Sequence, residues 1–441
     1  MKKHGFSMII AVFFLVMAVT GAQAVTEIHW WHAMGGALGM RVDQITDNFN
    51  RSQNKYKLIA NYKGNYTETM TAGIAAFRAG KQPHLIQVFE VGTATMMGAK
   101  GAIKPVYELM AETGAPFNPA GYVGAVKNYY TTTDGKMLSM PFNSSTPVLF
   151  YNKDAFKKAG LDPDKPPKTW PEVGQVAKKL VDSGAVKYGF STCWPSWVHV
   201  ENFGAWHNLP MGTKGNGFEG LDTEFLFNSP LHVKHIQQLA DWQKDKIFIY
   251  AGRGDDANPM FPAGDLGMMT QSSAGHGGYL RNSNFEFGVS NLPYWPNTPG
   301  APLNTIIGGA SLWVFQGHKA EEYKAVAAFF SFLSLPMVQA YWHEYTGYVP
   351  ITTAAMTMMQ DLGFYKSTPG RDLPIMQLNG YGKPPTAYTK GLRFGSFLQE
   401  RVIIEEEMEN IFAGKKTAKQ GLDDAVKRAN VLLRRFEKAN K

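Results

Sequence analysis

The sequence contains a single cysteine, Cys193. One thiol makes no disulfide within a chain, so the core must hold without covalent staples. With 44% hydrophobic residues it has the material to do so. After the first 24 residues no apolar run reaches the ~20 residues that a bilayer-spanning helix needs. No internal repeat or low-complexity segment is present. The glycines Gly275, Gly277 and Gly278 lack the Lys-Ser/Thr pair of a nucleotide-binding loop. Metal-ligand sets are also missing. His232 and His235 share a face of a predicted helix, but no Cys, Asp or Glu lies within a turn to complete a set, and a solvated surface pair is expected. His29 and His32 flank a strand end, also without Cys partners or an acidic cluster. Neither a metal site nor a cofactor is expected.

At the N-terminus there is a clear address. Lys2 and Lys3 form a basic start, Phe6–Val19 an apolar core, and Ala22-Gln23-Ala24 a small-x-small cleavage site. This pattern predicts a signal peptide over residues 1–24. A membrane anchor is the alternative, but the apolar run is short for it. No Cys follows the cleavage site, so a lipid-anchored form is not expected. The expectation is a soluble, monomeric periplasmic protein, and export argues against a nucleic-acid partner. Cleavage removes Lys2 and Lys3, so a net charge of +8 becomes +6. A basic surface suits an anionic ligand, although most such charge is ordinary solvated Lys and Arg. The aromatic share is high, with 10 Trp, 19 Tyr and 28 Phe; aromatics beyond the needs of a core often line sugar or polyol clefts, although core packing is their larger use.

The 441 residues suffice for two or three domains of ~150 residues. Val25–Trp31, Tyr56–Ala60 and Leu85–Phe89 read as strands. Between them, Gly36–Asn50 places Leu38, Val42, Ile45 and Phe49 on one helical face, and Thr67–Ala79 is a second helix. This β-α-β-α-β order predicts a mostly parallel α/β sheet, whose ligands sit beyond the carboxyl ends of the strands. Tyr66 and Glu90 fall at that edge. Further on, helices are predicted at Trp170–Ser183, Pro230–Lys244, Ala320–Leu333, Met337–Tyr345 and Ala418–Lys438. Strands are predicted at Lys187–Ser191, Leu266–Thr270 and Phe285–Pro293, and a long loop is expected to carry Trp194, Trp197 and Trp206.

The stretch Pro141–Trp170 organises the chain. Asn143–Thr146 reads as a polar loop between Pro141 and Pro147, Val148–Tyr151 as a short buried strand, and Asp154–Ala159 as a helix stopped by Gly160. Thr169 is placed to N-cap a helix beginning Trp170-Pro171. This run resembles the extracytoplasmic solute-binding proteins of ABC importers, the class that includes maltose- and sugar-binding proteins. Tyr62–Tyr66, Gly73–Gly80, Gln87–Met97, Ile306–Trp313, Thr346–Thr352 and Thr389–Gly395 are similar to the branch that binds sn-glycerol 3-phosphate. These stretches follow that branch's order over nearly the whole mature chain.

The resemblance implies an α/β fold of two lobes, like maltose-binding protein, with a ligand cleft between them. The expected N-terminal lobe takes residues 25–138 and 309–355, and the C-terminal lobe 139–308 and 356–441. Carried over position by position, the implied ligand-binding residues are Tyr66, Glu90, Ser145, Ser272, Gly309, Tyr348 and Arg401, with Trp194 and Trp197 as an extra pair. Each has an ordinary reading beside it. Arg401 alone would be a surface arginine, the serines turn residues, Gly309 a site of close strand packing and Glu90 an exposed or salt-bridged acid. Read as a site, the Arg401 guanidinium offers a planar fork to phosphate, with Arg393 as its competitor. Ser145 and Ser272 offer hydroxyl donors, and a helix N-terminus after Ser272 would add a favourable dipole. Gly309 would let the backbone approach a ligand. Tyr66 and Tyr348 can donate and pack, and Glu90 can accept from glycerol hydroxyls or face a choline cation. Trp194 and Trp197 can wall a polyol or hold a trimethylammonium group. Glu405-Glu406-Glu407 reads as a solvated helix face.

The implied function is the non-catalytic, substrate-binding part of an importer for sn-glycerol 3-phosphate or glycerophosphodiesters such as glycerophosphocholine. Its partners would be the inner-membrane ABC permease subunits and their ATPase. A sugar or oligosaccharide receptor, a periplasmic glycerophosphodiesterase and a scaffold or adhesin are the alternatives.

Overall fold

The computed structural model describes residues 25–441. The predicted signal peptide lies outside the described residues. Two sheets organise the chain. The first contains β1 (Thr26–His32), β2 (Tyr56–Tyr62), β3 (Leu85–Phe89), β4 (Ile103–Lys104) and β5 (Met140–Ser145). The second contains β6 (Pro147–Asn152), β7 (Tyr188–Thr192), β8 (Phe248–Ile249), β9 (Leu266–Ser272) and β10 (Phe287–Ser290). The chain then returns to the first sheet as β11 (Gly308–Phe315). The first sheet runs β2-β1-β3-β11-β4, with β5 also paired to β11. The β1–β2 and β1–β3 pairs are parallel, and β11 runs antiparallel to β3, β4 and β5. The second sheet runs β10-β6-β9-β7-β8, with β7 parallel to its two neighbours.

Local sequence explains the covering helices. Gly36–Ser52 buries Val42, Ile45 and Phe49, and Tyr66–Arg78 starts at an Asn65–Glu68 capping box. Trp170–Asp182 is capped by Thr169, with Glu172 completing a second capping box and Pro171 in the first turn. Pro230–Lys244 follows the Ser229 cap. Ala418–Asn440 packs Leu422, Ala425, Ala429 and Leu433 inward. Among the described residues no single helix is long and apolar enough to cross a membrane.

Several expectations change. Asn143–Ser145 is not a loop but the end of β5, buried and paired with β11. The first sheet therefore runs seven residues past the expected lobe boundary after 138. The crossing narrows to Thr146, between β5 and β6. The expected loop after β7 is helical instead. Trp197–Asn202 forms a π-turn that continues into a helix at Phe203–Trp206, and all ten residues are buried. A wholly buried backbone must satisfy its own polar groups, which helical pairing does and an irregular loop does not.

His232 and His235 are not a solvated pair. They lie inside the second lobe with His199 and His207, all buried. His235 Nδ1 accepts from Trp295 Nε1–H at 3.3 Å, so its Nε2–H donates to His199 Nδ1 at 2.9 Å. His207 Nε2 accepts from the Trp295 backbone N–H at 2.9 Å. Partnered lone pairs make these histidines packing and hydrogen-bonding groups rather than ligands. Elsewhere His84, His318 and Glu322 bring ligand-type atoms within 4.8 Å of one another. There His84 Nδ1 accepts from the His29 backbone N–H at 3.0 Å, which leaves the proton on Nε2 and no lone pair for a metal.

Burial lowers His199 and His232 from 6.5 to about 3 and His207 to about 4, and lowers His235 well below its ordinary value. Below pH 6.5 the unfolded chain binds protons that these folded histidines refuse. Their stabilisation is complete near neutrality and is lost as pH falls from about 6.5 toward their folded values. Glu90, Asp255, Glu400 and Glu405, raised by burial, act in the opposite sense, but burial also lowers His32, His84, His276 and His343, so the histidines outnumber these acids. The thermal midpoint should fall between pH 7 and pH 5; a scanning-calorimetry midpoint that rises would contradict this. In β11, Gly309 adopts φ +94°, and a Cβ there would sit 1.9 Å from the Asn143 carbonyl oxygen. Gly309→Ala should cost at least ~2 kcal/mol in denaturant unfolding through strain and clash.

Candidate functional site: a cleft between the two sheets

A cleft of about 740 Å³ opens where the carboxyl ends of β3, β5 and β9 meet the start of β11. All nine residues singled out from the sequence line it. They come from distant elements. Tyr66 opens a helix, Glu90 follows β3, Ser145 ends β5, Ser272 ends β9 and Gly309 lies in β11. Trp194 and Trp197 follow β7, Tyr348 follows the helix Pro336–Thr346, and Arg401 projects from the helix Phe397–Phe412. The Ser273 N–H donates to the Thr146 carbonyl at 2.9 Å, which holds the β5 and β9 ends side by side.

The electrostatic centre is Arg401, only 6% exposed. Its Nε donates to Glu201 Oε1 at 2.8 Å and its Nη2 to Glu201 Oε2 at 2.7 Å. Nη2 also donates to Glu90 Oε1 at 2.8 Å. Nη1 has no hydrogen-bond partner among the described residues. The Phe397 ring lies 5.7 Å from the guanidinium carbon. Burial works against the charged guanidinium, but Glu201 and Glu90 outweigh it and hold it above the ordinary arginine value. The Glu90 carboxyl is pushed up by burial, against the opposing pull of Arg401.

Aromatic and hydroxyl groups form the rest. Tyr66 stacks on Phe89 with centroids 5.1 Å apart, and its hydroxyl accepts from Asn143 Nδ2 at 2.8 Å. Tyr348 stacks on Trp342 at 5.6 Å. Burial raises the Tyr66 phenol well above 10 and Tyr348 to about 12, so both remain protonated donors. Ser272 Oγ accepts from the Ala274 N–H at 3.2 Å, leaving its own proton to donate. As expected, a helical N-terminus follows it: Ser272 caps the 3-10 turn Ser273–Gly275, which runs directly into the seven-residue helix His276–Asn282. Trp194 is half-buried, with its Nε1–H donated to Asp255 at 2.9 Å. Trp197 is almost fully buried against Gly308 and belongs more to the cleft floor than to an open wall. Gly309 is demanded by its positive φ and the Asn143 carbonyl, as much as by any approach of ligand to backbone.

Some neighbours of the cleft residues escaped the sequence reading. Glu201 is the chief one. A lone acid inside the apolar run Trp197–Trp206 must find a buried cation, and that was the available signal. Arg253 and Asp255 also line the cleft, and Arg253 forms a two-point pair with Glu409 at 2.7 Å for both bonds. Arg393 is no competitor for Arg401: its Nη2 donates to the Tyr129 and Thr131 carbonyls at 3.1 and 2.8 Å. The run Glu405–Glu407 is not a solvated face. Glu405 is buried and accepts from Ser196 at 3.1 Å, and Glu407 is buried between Lys416 and Arg428.

Comparison with known proteins agrees with this architecture. Residues 44–370 match the family model of the bacterial extracellular solute-binding proteins. The sn-glycerol-3-phosphate-binding periplasmic protein UgpB of Pectobacterium atrosepticum is 48% identical over 441 residues, covering 100% of this chain and 98% of that protein. Its namesake from Yersinia pseudotuberculosis is 50% identical over 421 residues, 95% of each chain. Among solved structures, UgpB from Mycobacterium tuberculosis in complex with glycerophosphocholine aligns with a TM-score of 0.76 at 20% identity, covering 93% of this chain and 98% of that one. Maltose-bound MalE3 of T. maritima aligns with a TM-score of 0.73 at 17% identity, covering 92% and 100%. The fold is thus the two-lobed α/β fold of maltose-binding-type receptors. The family match over most of its length, and relatives about half identical from end to end, mean that the chain belongs to the bacterial extracellular solute-binding proteins.

Proposed function

We propose that the protein is the periplasmic substrate-binding component of an ABC importer for sn-glycerol 3-phosphate and glycerophosphodiesters such as glycerophosphocholine. It delivers them to an inner-membrane permease and catalyses no reaction. The observation that carries this reading is Arg401: a buried, permanently charged guanidinium on the cleft wall with one nitrogen unclaimed by protein. The end-to-end similarity to sn-glycerol-3-phosphate-binding periplasmic proteins supports it.

In this reading Nη1 of Arg401 takes a phosphate oxygen, and the hydroxyls of Ser145, Ser272, Tyr66 and Tyr348 complete the anion's shell. Glu90 accepts from glycerol hydroxyls through the oxygen that Arg401 leaves free. Trp194, its indole fixed by Asp255, faces the far end of a diester, where a trimethylammonium group is held by cation–π attraction. The lining carries Arg253, Arg281 and Arg401 against Glu90, Asp255, Asp256 and Glu405. Such a nearly balanced lining suits a zwitterionic diester at least as well as a dianionic monoester. Ligand that touches both lobes favours the closed arrangement over the open one.

A sugar receptor has no use for the buried guanidinium. A phosphodiesterase would need a metal or a His–acid pair at the phosphate, and among the described residues the cleft lining contains no histidine. Titration calorimetry of the mature protein with sn-glycerol 3-phosphate, glycerophosphocholine and maltose in parallel tests the reading. Binding of either phosphate ligand at micromolar level, with no heat from maltose, is expected; binding of maltose alone would refute it. Arg401→Ala should weaken the phosphate ligand by at least ~2 kcal/mol, and unchanged affinity would remove Arg401 from the site.

A further inference from the structure

We infer that Glu201 is a positioning residue for the ligand site: it grips the Nε/Nη2 edge of Arg401, keeps Nη1 for the ligand and prevents Glu90 from capturing the guanidinium. The inference rests on the proposed role of Arg401 in binding phosphate. It goes beyond that role by assigning work to a residue that never meets the ligand.

Three observations carry it. First, Glu201 is 1% exposed, and it does not line the cleft, whereas Arg401 and Glu90 do. It therefore acts from behind the guanidinium. Second, its two oxygens meet two different nitrogens of Arg401, at 2.8 and 2.7 Å. A two-point contact fixes the plane of the guanidinium as well as its position. With Phe397 against the group, the remaining rotation is small. Nη1 is not among the buried polar atoms that lack a partner. Since Arg401 lines the cleft, this is the nitrogen that solvent, and hence ligand, can reach.

Third, Glu90 competes. It stands across the cleft on the first sheet's edge and already takes one Nη2 proton at 2.8 Å. Two carboxyls share one guanidinium. If Glu201 were absent, Glu90 would be the one acid still hydrogen-bonded to Arg401, since Glu405, a turn further along the helix, acts on Arg401 through space and accepts from Ser196, and Glu90 would draw the guanidinium into a two-point pair of its own. The guanidinium would then point at a protein carboxylate where the ligand's phosphate should be. The groups facing Glu90 are Arg401 and Glu201, with the phenols of Tyr66, Tyr129, Tyr130 and Tyr348 nearby. None of the phenols supplies a second cation to hold it back. Glu201 sits in the π-turn Trp197–Asn202, next to Ser196, which donates to Glu405. All six residues of that π-turn are buried, His199 and Asn202 among them, so Glu201 is held inward.

A double-mutant cycle separates this role from a general structural one. Wild type, E201A, E90Q and E201A/E90Q are titrated with sn-glycerol 3-phosphate and glycerophosphocholine, with folding checked by thermal unfolding. E201A should weaken phosphate-ligand binding roughly tenfold or more, and the same change should cost several-fold less in the E90Q background. E201Q, nearly isosteric, carries the test if E201A does not fold, and should likewise lose less affinity when Glu90 is neutral. An equal loss in both backgrounds would overturn the inference, because a merely structural defect is indifferent to Glu90. Wild-type affinity in E201A would overturn it as well. If R401A abolishes binding while E201A binds normally, only Glu201's role falls. If the wild type binds neither phosphate ligand, the role of Arg401 falls with it.

Discussion

A buried guanidinium shared by two buried carboxyls is the interaction on which the cleft depends. Taking three ionisable groups out of water costs several kcal/mol each before their mutual attraction is counted. Such a cluster survives only if its geometry is tightly satisfied. Arg401 meets that condition with three hydrogen bonds of 2.7 to 2.8 Å, to partners that lie 200 and 311 residues away in sequence. Glu90 follows a strand of the first sheet and Glu201 a strand of the second, so the cluster ties together the end of β3, the π-turn after β7 and the helix Phe397–Phe412. In the proposed role of this cluster, a ligand brings hydroxyls for Glu90 as well as an anion for Arg401.

Backbone geometry places Arg401 and Glu90 of this cluster on the cleft lining. β5 and β6 are one continuous path through Thr146, and β11 returns beside β5 with Gly309 in a conformation that a side chain would block. These crossings put Ser145, Ser272 and Tyr348 on the same opening without any of them being neighbours in sequence. The aromatic surplus divides between two uses. Trp197 is buried against Gly308 and Tyr348 stacks on Trp342, while Trp194 keeps part of its ring exposed.

Much of this was legible in the sequence. The β-α-β-α-β start, the capping residues Asn65, Thr169 and Ser229, and the glycine stops mark elements through local rules that hold before tertiary contacts form. The family resemblance named nine positions that the fold brings to one cleft, though their roles in binding rest on the proposal above. What stayed hidden was long-range pairing. His232 and His235 carry no local sign that Trp295 and His199 will satisfy them. Glu405 and Glu407 look solvated until Ser196, Lys416 and Arg428 arrive from elsewhere. Asn143–Ser145 has the composition of a loop, and becomes a strand because β11 offers it a partner. Glu201 is the instructive omission: an acid in an apolar helix signals a buried cation but does not say which one.

A crystal structure of the protein with glycerophosphocholine bound should show a phosphate oxygen within hydrogen-bond distance of Arg401 Nη1, Glu201 still paired to Nε and Nη2, and the trimethylammonium group over the Trp194 ring. A phosphate lodged away from Arg401, or an Arg401 that has left Glu201 to reach it, would overturn the role given to this buried cluster.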